Sequence, residues 1–296
     1  MVTSDTLPDW LARLYPFAPK SFQTPGGARM SYLDEGPRTD EAVLLLHGNP
    51  TWSFFYRDPV RDLSSRIRCI APDHVGMGLS DKPAGYDYRL SRRIGDVEAL
   101  VGSLGLRKVH LVVHDWGGAI GFGLAARQPG LIGRIAILNT AAFPATRVPA
   151  RIRLCRIPWI GAGIVRGLNG FSAGAVRMAA CRPLSPEVAR GYLFPYDSWA
   201  HRIAVHRFIR DIPLEPGHPS LAAVADMARA LPQFESRAGL ILWGGRDFCF
   251  DDTYLKRWRE YYPRADCTRY PEAGHYLLED AGEDARSRLR NYLLAG

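Results

Sequence analysis

No stretch of this sequence approaches the run of about 20 apolar residues that a membrane-spanning helix needs, so no transmembrane segment is expected. Cysteine is sparse: Cys69, Cys155, Cys181, Cys249 and Cys267 are five in number, scattered, and without C-x-x-C spacing. That argues against a disulfide framework or a cysteine zinc site and fits unpaired thiols in a reducing compartment. Lysine is rare, the positive charge being carried almost wholly by arginine, and no basic run exceeds a pair. A formal charge of +8 with no basic run and no nucleic-acid motif reads as a solvated surface, and no nucleic-acid partner is expected. Met1 to Lys20 holds no basic segment leading into an apolar one, so no secretory leader is expected and the location is expected to be cytoplasmic. Internal repeats and low-complexity tracts are also missing.

The 296 residues are 47% hydrophobic and 23% charged, which is ordinary for a globular enzyme with a sizeable core. The length suits one α/β domain carrying an inserted subdomain. Ser21 to Glu35 reads as a hairpin turning at Pro25-Gly26-Gly27. Ala42–Leu46, Cys69–Ala71, Val109–Val113 and Ile135–Leu138 are short apolar runs, the mark of strands buried on both faces. Helical stretches alternate with them over residues 55–65, 91–104 and 117–128, which implies a mostly parallel sheet flanked by helices. From Phe143 to Pro232 the alternation stops and proline-punctuated helical segments take over. It resumes with a strand at Leu240–Trp243, a helix near Thr253–Tyr261, a strand near Cys267–Tyr270 and a terminal helix. The expected organisation is core (1–142), helical cap (143–232), core (233–296). Leu7 to Phe17 reads as cover for that core rather than a surface-docking helix.

The chemistry centres on His114-Asp115-Trp116-Gly117-Gly118, directly after one apolar strand and directly before a helix. A sharp strand-to-helix turn lifts its central residue above the sheet edge and needs small neighbours, and in its common form that residue is serine. Here it is Asp115, and Val113 stands where the first glycine is usual. Aspartate is also a frequent helix N-cap, but Asp115 has company. His47-Gly48-Asn49-Pro50 follows the Ala42–Leu46 strand, Trp243-Gly244-Gly245-Arg246-Asp247 follows a later one, and Ala273-Gly274-His275-Tyr276 follows the last. Nucleophile, acid and base thus arrive in chain order, each at a strand's C-terminal end, where open α/β sheets collect ligands. Asp251 and Asp252 are rivals to Asp247 as the acid. A carboxylate nucleophile is ionised at neutral pH, attacks carbon without a base and leaves an ester on the enzyme. His275 can then activate water or stabilise charge.

These motifs resemble the haloalkane dehalogenase and epoxide hydrolase branch of the α/β-hydrolase fold over nearly the whole chain. The resemblance implies Asp115, His275 and Asp247 as catalytic residues, and Asn49 and Trp116 as the donor pair that holds a leaving anion. Tyr192 and Tyr196 stand where an epoxide hydrolase would place proton donors, or merely pack. Further segments are similar to the β-lactone decarboxylases of bacterial long-chain olefin biosynthesis: 47–53, 71–80, Asn139-Thr140-Ala141-Ala142-Phe143-Pro144, 207–214 and 274–280. Asn139 falls near a dehalogenase subgroup's acid position, which an amide cannot fill. The resemblance implies conversion of a long-chain dialkyl β-lactone to a cis-alkene and carbon dioxide, with no metal or organic cofactor. It also implies a hydrophobic small-molecule substrate and assembly with the enzymes that make the lactone. Haloalkane dehalogenase and epoxide hydrolase are the alternative enzymes, and a non-catalytic binder is the alternative class. Attack at the saturated carbon, or at the lactone carbonyl to give a mixed anhydride, both stay open. Ile157, Trp159, Ile160, Ile164, Val165, Leu168, Phe171 and Phe208 are candidates for pocket wall or for ordinary core.

Overall fold

A computed structural model describes residues 7–145 and 147–295. The first six residues, part of the segment read for a leader, lie outside the described residues, as does Thr146 of the expected cap. A short helix, α1 (Asp9–Leu14), precedes the sheet. Leu7, Leu11, Tyr15 and Phe17 around it are buried, so this segment covers the core.

The hairpin forms as β1 (Lys20–Gln23) and β2 (Arg29–Glu35), paired antiparallel across a turn in which Gly27 takes φ +81. Then come β3 (Glu41–Leu46), α2 (Arg57–Leu63), β4 (Arg68–Pro72), α3 (Leu90–Ser103), β5 (Lys108–Asp115), α4 (Trp116–Arg127) and β6 (Ile132–Thr140). After β6 the described residues form helices and no strand until residue 238: α5 (Ala150–Arg156), α6 (Ile160–Ala162) running into a π turn at Gly163–Gly167, α7 (Gly170–Met178), α8 (Pro186–Leu193), α9 (Ile203–Arg210) and α10 (Leu221–Ala230). Proline sets several of these starts: Pro149 caps α5, and Pro186 opens α8, where Ser185 accepts the Val188 N–H. The chain closes with β7 (Ala238–Gly244), α11 (Asp252–Tyr261), β8 (Asp266–Tyr270) and α12 (Leu277–Leu294).

The strands form one eight-stranded sheet in the order β1-β2-β4-β3-β5-β6-β7-β8. From β4 to β8 the pairing is parallel, and β2 lies antiparallel to β4. The sequence shows no sign of that second antiparallel pairing, because a strand's direction leaves no mark on its side-chain alternation. Helices cover both faces, which is why the central strands are apolar throughout. On β3, Ala42, Leu44 and Leu46 enter one core with Leu111 and Val113 of β5, while Val43 and Leu45 enter the other with Val112. The chain leaves β3 for β4 on one side and leaves its neighbour β5 for β6 on the other. Their C-terminal ends flank a topological switch point, the crevice where such sheets bind ligands. No described helix is long and apolar enough to cross a membrane.

Candidate active site

β5 ends on Asp115 and α4 begins on the next residue, so the chain reverses within one peptide, and Asp115 takes φ 51, ψ −126. That backbone is unfavourable for a residue with a side chain and persists only where its surroundings enforce it. The surroundings are glycine. A Cβ on Gly117 would lie 1.9 Å from the Leu46 carbonyl oxygen, and one on Gly48 would lie 2.0 Å from Asp115 Oδ1. The β3 loop and the elbow therefore meet at contact distance, and the Asn49 backbone N–H donates to Asp115 Oδ1 at 2.6 Å. The Trp116 backbone N–H donates to the same carboxylate. Two backbone donors thus face one carboxylate, an arrangement that also suits the oxygen of an ester or tetrahedral adduct formed there.

Asp115 Oδ2 faces His275 Nε2 at 3.7 Å, and His275 Nδ1 donates to Asp247 Oδ2 at 2.7 Å. Asp247 is fixed in turn, its Oδ1 accepting the N–H groups of Cys249 (2.6 Å) and Phe250 (3.1 Å). The structure therefore brings Asp115, His275 and Asp247 into one line, hydrogen-bonded between His275 and Asp247 and within ion-pair reach between His275 and Asp115. The rivals lie elsewhere: Asp251 caps α11 through the Thr253 N–H, and Asp252 pairs with Arg269. Asn139 bridges β6 to β7, donating to the Gly244 carbonyl and accepting the Gly244 N–H. Tyr192 donates to Glu279 and Tyr196 to the Thr51 carbonyl, both deep in packing. His114 donates to the His275 carbonyl at 2.8 Å and stacks between Phe55 and His275, tying the elbow to the histidine loop.

Burial pushes the Asp115 carboxyl above its ordinary range, although His275 and the two backbone donors pull it down. Burial also opposes charge on His275, but Asp247, by Coulomb attraction and hydrogen bond, and then Asp115 outweigh it and raise the imidazole. A reaction that needs ionised Asp115 should have the acid limb of kcat/KM above the usual aspartate value of about 3.9. In His275→Gln that limb should move further up, because a cation that favours the carboxylate is gone. A limb at the ordinary value, or a downward move in the variant, would contradict this placement of charge.

Asn49 also reaches α9, its Nδ2 donating to the Val205 carbonyl at 3.1 Å, while its buried Oδ1 has no partner among the described residues. Trp116 packs against Phe208, and the buried Arg93 guanidinium sits 3.4 Å from that ring's centroid. Two mostly apolar cavities meet here. One of about 130 Å³ is lined by Asp115, Trp116, Phe143, Ile209 and Val224. The other, about 200 Å³, is lined by His275, Leu154, Ile164 and Met178, and both share Asn49, Ile152, Phe171 and Cys249. A larger cleft, about 880 Å³ and rich in arginine, includes neither Asp115 nor His275.

Of the apolar cap residues named from sequence, Ile164 and Phe171 line these cavities, and Val165 and Phe208 are core. Ile157, Trp159, Ile160 and Leu168 are exposed instead. Ile152 and Cys249 were missed: one apolar residue and one thiol carry no signal of facing a nucleophile. The ligand-type atoms of Asp247, Cys249 and His275 lie within 4.8 Å of one another. Both Asp247 oxygens are nevertheless committed, and burial, with Asp247 and Asp115 nearby, holds the thiol protonated, so the group is arranged around the imidazole.

Residues 41–282 match the family model described as the alpha/beta hydrolase fold. The chain is 44% identical over 290 residues to a cis-3-alkyl-4-alkyloxetan-2-one decarboxylase of Shewanella oneidensis, covering 96% of this chain and 90% of the relative. It is 42% identical to the protein of the same name from Xanthomonas campestris pv. campestris, covering 94% and 97%. Among solved structures, the haloalkane dehalogenase DbeA from Bradyrhizobium elkani superposes with a TM-score of 0.83 at 25% identity, covering 93% of this chain and 97% of that one. With an Asp-bearing elbow at the end of β5 and its histidine after β8, the chain belongs to the α/β-hydrolase family, in the group that its oxetanone-decarboxylase and haloalkane-dehalogenase relatives share.

Proposed function

We propose that the protein is a β-lactone decarboxylase, converting a long-chain cis-dialkyl β-lactone to a cis-alkene and carbon dioxide with Asp115 as nucleophile. The observation that carries this reading is the meeting of two apolar cavities at Asp115 and His275, with Asn49, Ile152, Phe171 and Cys249 common to both. A ring bearing one hydrocarbon arm on each of two adjacent carbons suits that shape better than a single-chain haloalkane does. The decarboxylase relatives support it. In this reading residues 143–232 act as the cap that roofs the site.

Asp115 Oδ2 attacks the ring carbon bearing oxygen from behind. The carbon–oxygen bond breaks, and its electron pair leaves on the ring carboxylate, which Asn49 Nδ2 and the Trp116 indole N–H receive. The alkyl-enzyme ester then fragments: the bond to the carboxylate breaks, its electrons form the double bond, and the ester oxygen departs with the other pair as the Asp115 carboxylate. No water or proton is consumed. Backside attack leaves the ester oxygen opposite the carboxylate, so anti elimination follows directly and the two arms finish on the same side. His275, held by Asp247, stabilises the carboxylate as it is released.

Given a cis-dialkyl β-lactone and, in parallel, a 1-haloalkane, the purified protein should yield alkene with little free halide. Halide and alcohol without alkene would make it a haloalkane dehalogenase. Asn49→Ala and Trp116→Phe should each lower kcat about a hundred- to a thousandfold, the cost of one donor to a developing anion. Unchanged kcat in both would remove the pair from the mechanism. Assembly with the lactone-forming enzymes belongs to the same reading, since an insoluble substrate favours direct handover. If the protein runs as a separate species when mixed with those enzymes, that part fails.

A further inference from the structure

From Trp116 to Pro186 the chain contains no Asp or Glu and nine arginines. Chance rarely leaves 71 residues without an acid in a protein that has 30 of them. This segment includes the start of the cap, α5 to α7, and there the apolar residues turn outward. Leu154, Ile157, Trp159, Ile160, Leu168 and the adjoining Trp199 are all exposed. Trp159 is 89% and Leu168 80% exposed, so neither contributes appreciably to a core. Trp159 also takes φ +64, a conformation that side chains resist and that a surface tryptophan has no packing reason to hold. The Arg166 guanidinium lies 4.4 Å from the centroid of the Trp199 ring, so cation and indole occupy one face.

Two features border this tip. On one side Leu154 and Met178, both half-exposed, line the cavity that leads to His275 and Asn49. On the other, Ile157 and Pro158 form the rim of the arginine-rich cleft, which takes Arg153, Arg156, Arg207 and Arg210 with Arg89. Asp87, Asp211 and Glu215 share that cleft, Glu215 pairing with Arg156 and Asp211 standing 3.8 Å from Arg89. Arg153, Arg207 and Arg210 have no acidic partner among the described residues. From Leu154 to Leu168 there is no acid, and the nearby Glu215 and Asp197 are paired with Arg156 and His201. An aromatic and aliphatic tip with arginine around it has the composition of an interfacial anchor, with apolar groups entering the acyl boundary and cations meeting phosphate headgroups.

We propose that the cap tip, Leu154 to Leu168 with Trp199, docks this protein on an anionic phospholipid bilayer. Docking lays the mouth at Leu154 and Met178 against the membrane, so that a water-insoluble substrate enters from the acyl layer. Only this last step rests on the long-chain lactone reading; the docking itself does not.

The test is cosedimentation of the full chain, without substrate, with vesicles of phosphatidylcholine alone and of phosphatidylcholine with phosphatidylglycerol. The protein should pellet with the anionic vesicles at low salt and stay in solution with the neutral ones. Trp159→Ser with Leu168→Ser should weaken anionic binding at least tenfold, the loss expected for withdrawing large apolar side chains. Arg153→Gln with Arg156→Gln should weaken it about fivefold for each charge removed. In the serine variant, turnover of a short soluble β-lactone should match wild type, while turnover of a long-chain lactone carried in vesicles falls. Wild type that ignores anionic vesicles overturns the proposal and leaves the tip to a protein partner. Equal binding by the serine variant also overturns it. Vesicle binding without alkene from any lactone would keep the docking and refute the decarboxylase reading instead.

Discussion

Asp115→Asn should release alkene about four to six orders of magnitude more slowly than wild type, the range seen when a nucleophile is removed from an intact site. The amide has the shape of the carboxylate, and its oxygen can still accept the Asn49 backbone N–H. What it loses is the charged oxygen facing His275. The same variant should be more heat-stable at neutral pH. Burial raises the Asp115 pKa above its unfolded value, so the folded state prefers the neutral form. Stability therefore falls as pH rises through the folded value, and asparagine escapes that loss. The gain should be absent at low pH, where both side chains are neutral, and grow as pH rises above the ordinary carboxylate value. Near-wild-type turnover would remove Asp115 as nucleophile under every reading considered. A lower melting temperature at neutral pH would show that its charge is accommodated without cost.

His275→Ala should lower kcat about a hundred- to ten-thousandfold, the usual contribution of a positioned acid–base group. The residual chemistry separates the two principal readings. A dehalogenase needs the imidazole to activate water against the ester, so the variant would stall and the Asp115 peptide would carry an alkyl group. A decarboxylase needs no water, so its ester should still fragment, slowly, and whatever adduct forms on Asp115 should decay to alkene and not to alcohol. Heavy-oxygen water gives a second readout on wild type. Hydrolysis attacks the ester carbonyl and leaves a heavy oxygen in Asp115, whereas fragmentation breaks only the bond to the substrate carbon. Unlabelled Asp115 after many turnovers is expected here. Labelled Asp115 with alcohol product would be the dehalogenase outcome.

The parts of the fold legible in the sequence were those where burial acts on side chains. Ala42–Leu46 and Val109–Val113 announce themselves because both their faces lie under helices. The turn at Pro25-Gly26-Gly27 announces itself because Gly27 must adopt positive φ. Asp115 and His275 could be read because strand ends, glycines and chain order constrain them together. Asp247 could be preferred to Asp251 and Asp252 by its offset from the strand end, but its hydrogen bond to His275 is a matter of a few ångströms that residue type does not reveal. The backbone donors that hold Asp115 were invisible for a plainer reason, that every residue except proline has one. The orientation of the helices between β6 and β7 was the largest gap. Ile160 and Ile164 stand one helical turn apart in sequence, yet one is half-exposed and the other lines a cavity. The short α6 and the π turn break the helical period that would have linked them.

The chain leaves the sheet at Thr140 on β6 and re-enters it at Ala238 on β7, and these two strands are hydrogen-bonded neighbours. Every group proposed to touch the reacting atoms through its own side chain (Asn49, Asp115, Trp116, His275) lies outside that excursion, as does Asp247. The reacting groups and much of the cavity wall thereby lie on separate pieces of chain, with Asn49 and Cys249 lining the cavities from the core side. The excursion can be reshaped, or exchanged for that of a relative, while the strand ends that carry the reaction stay in register. A lineage built this way can change what it accepts without relearning what it does.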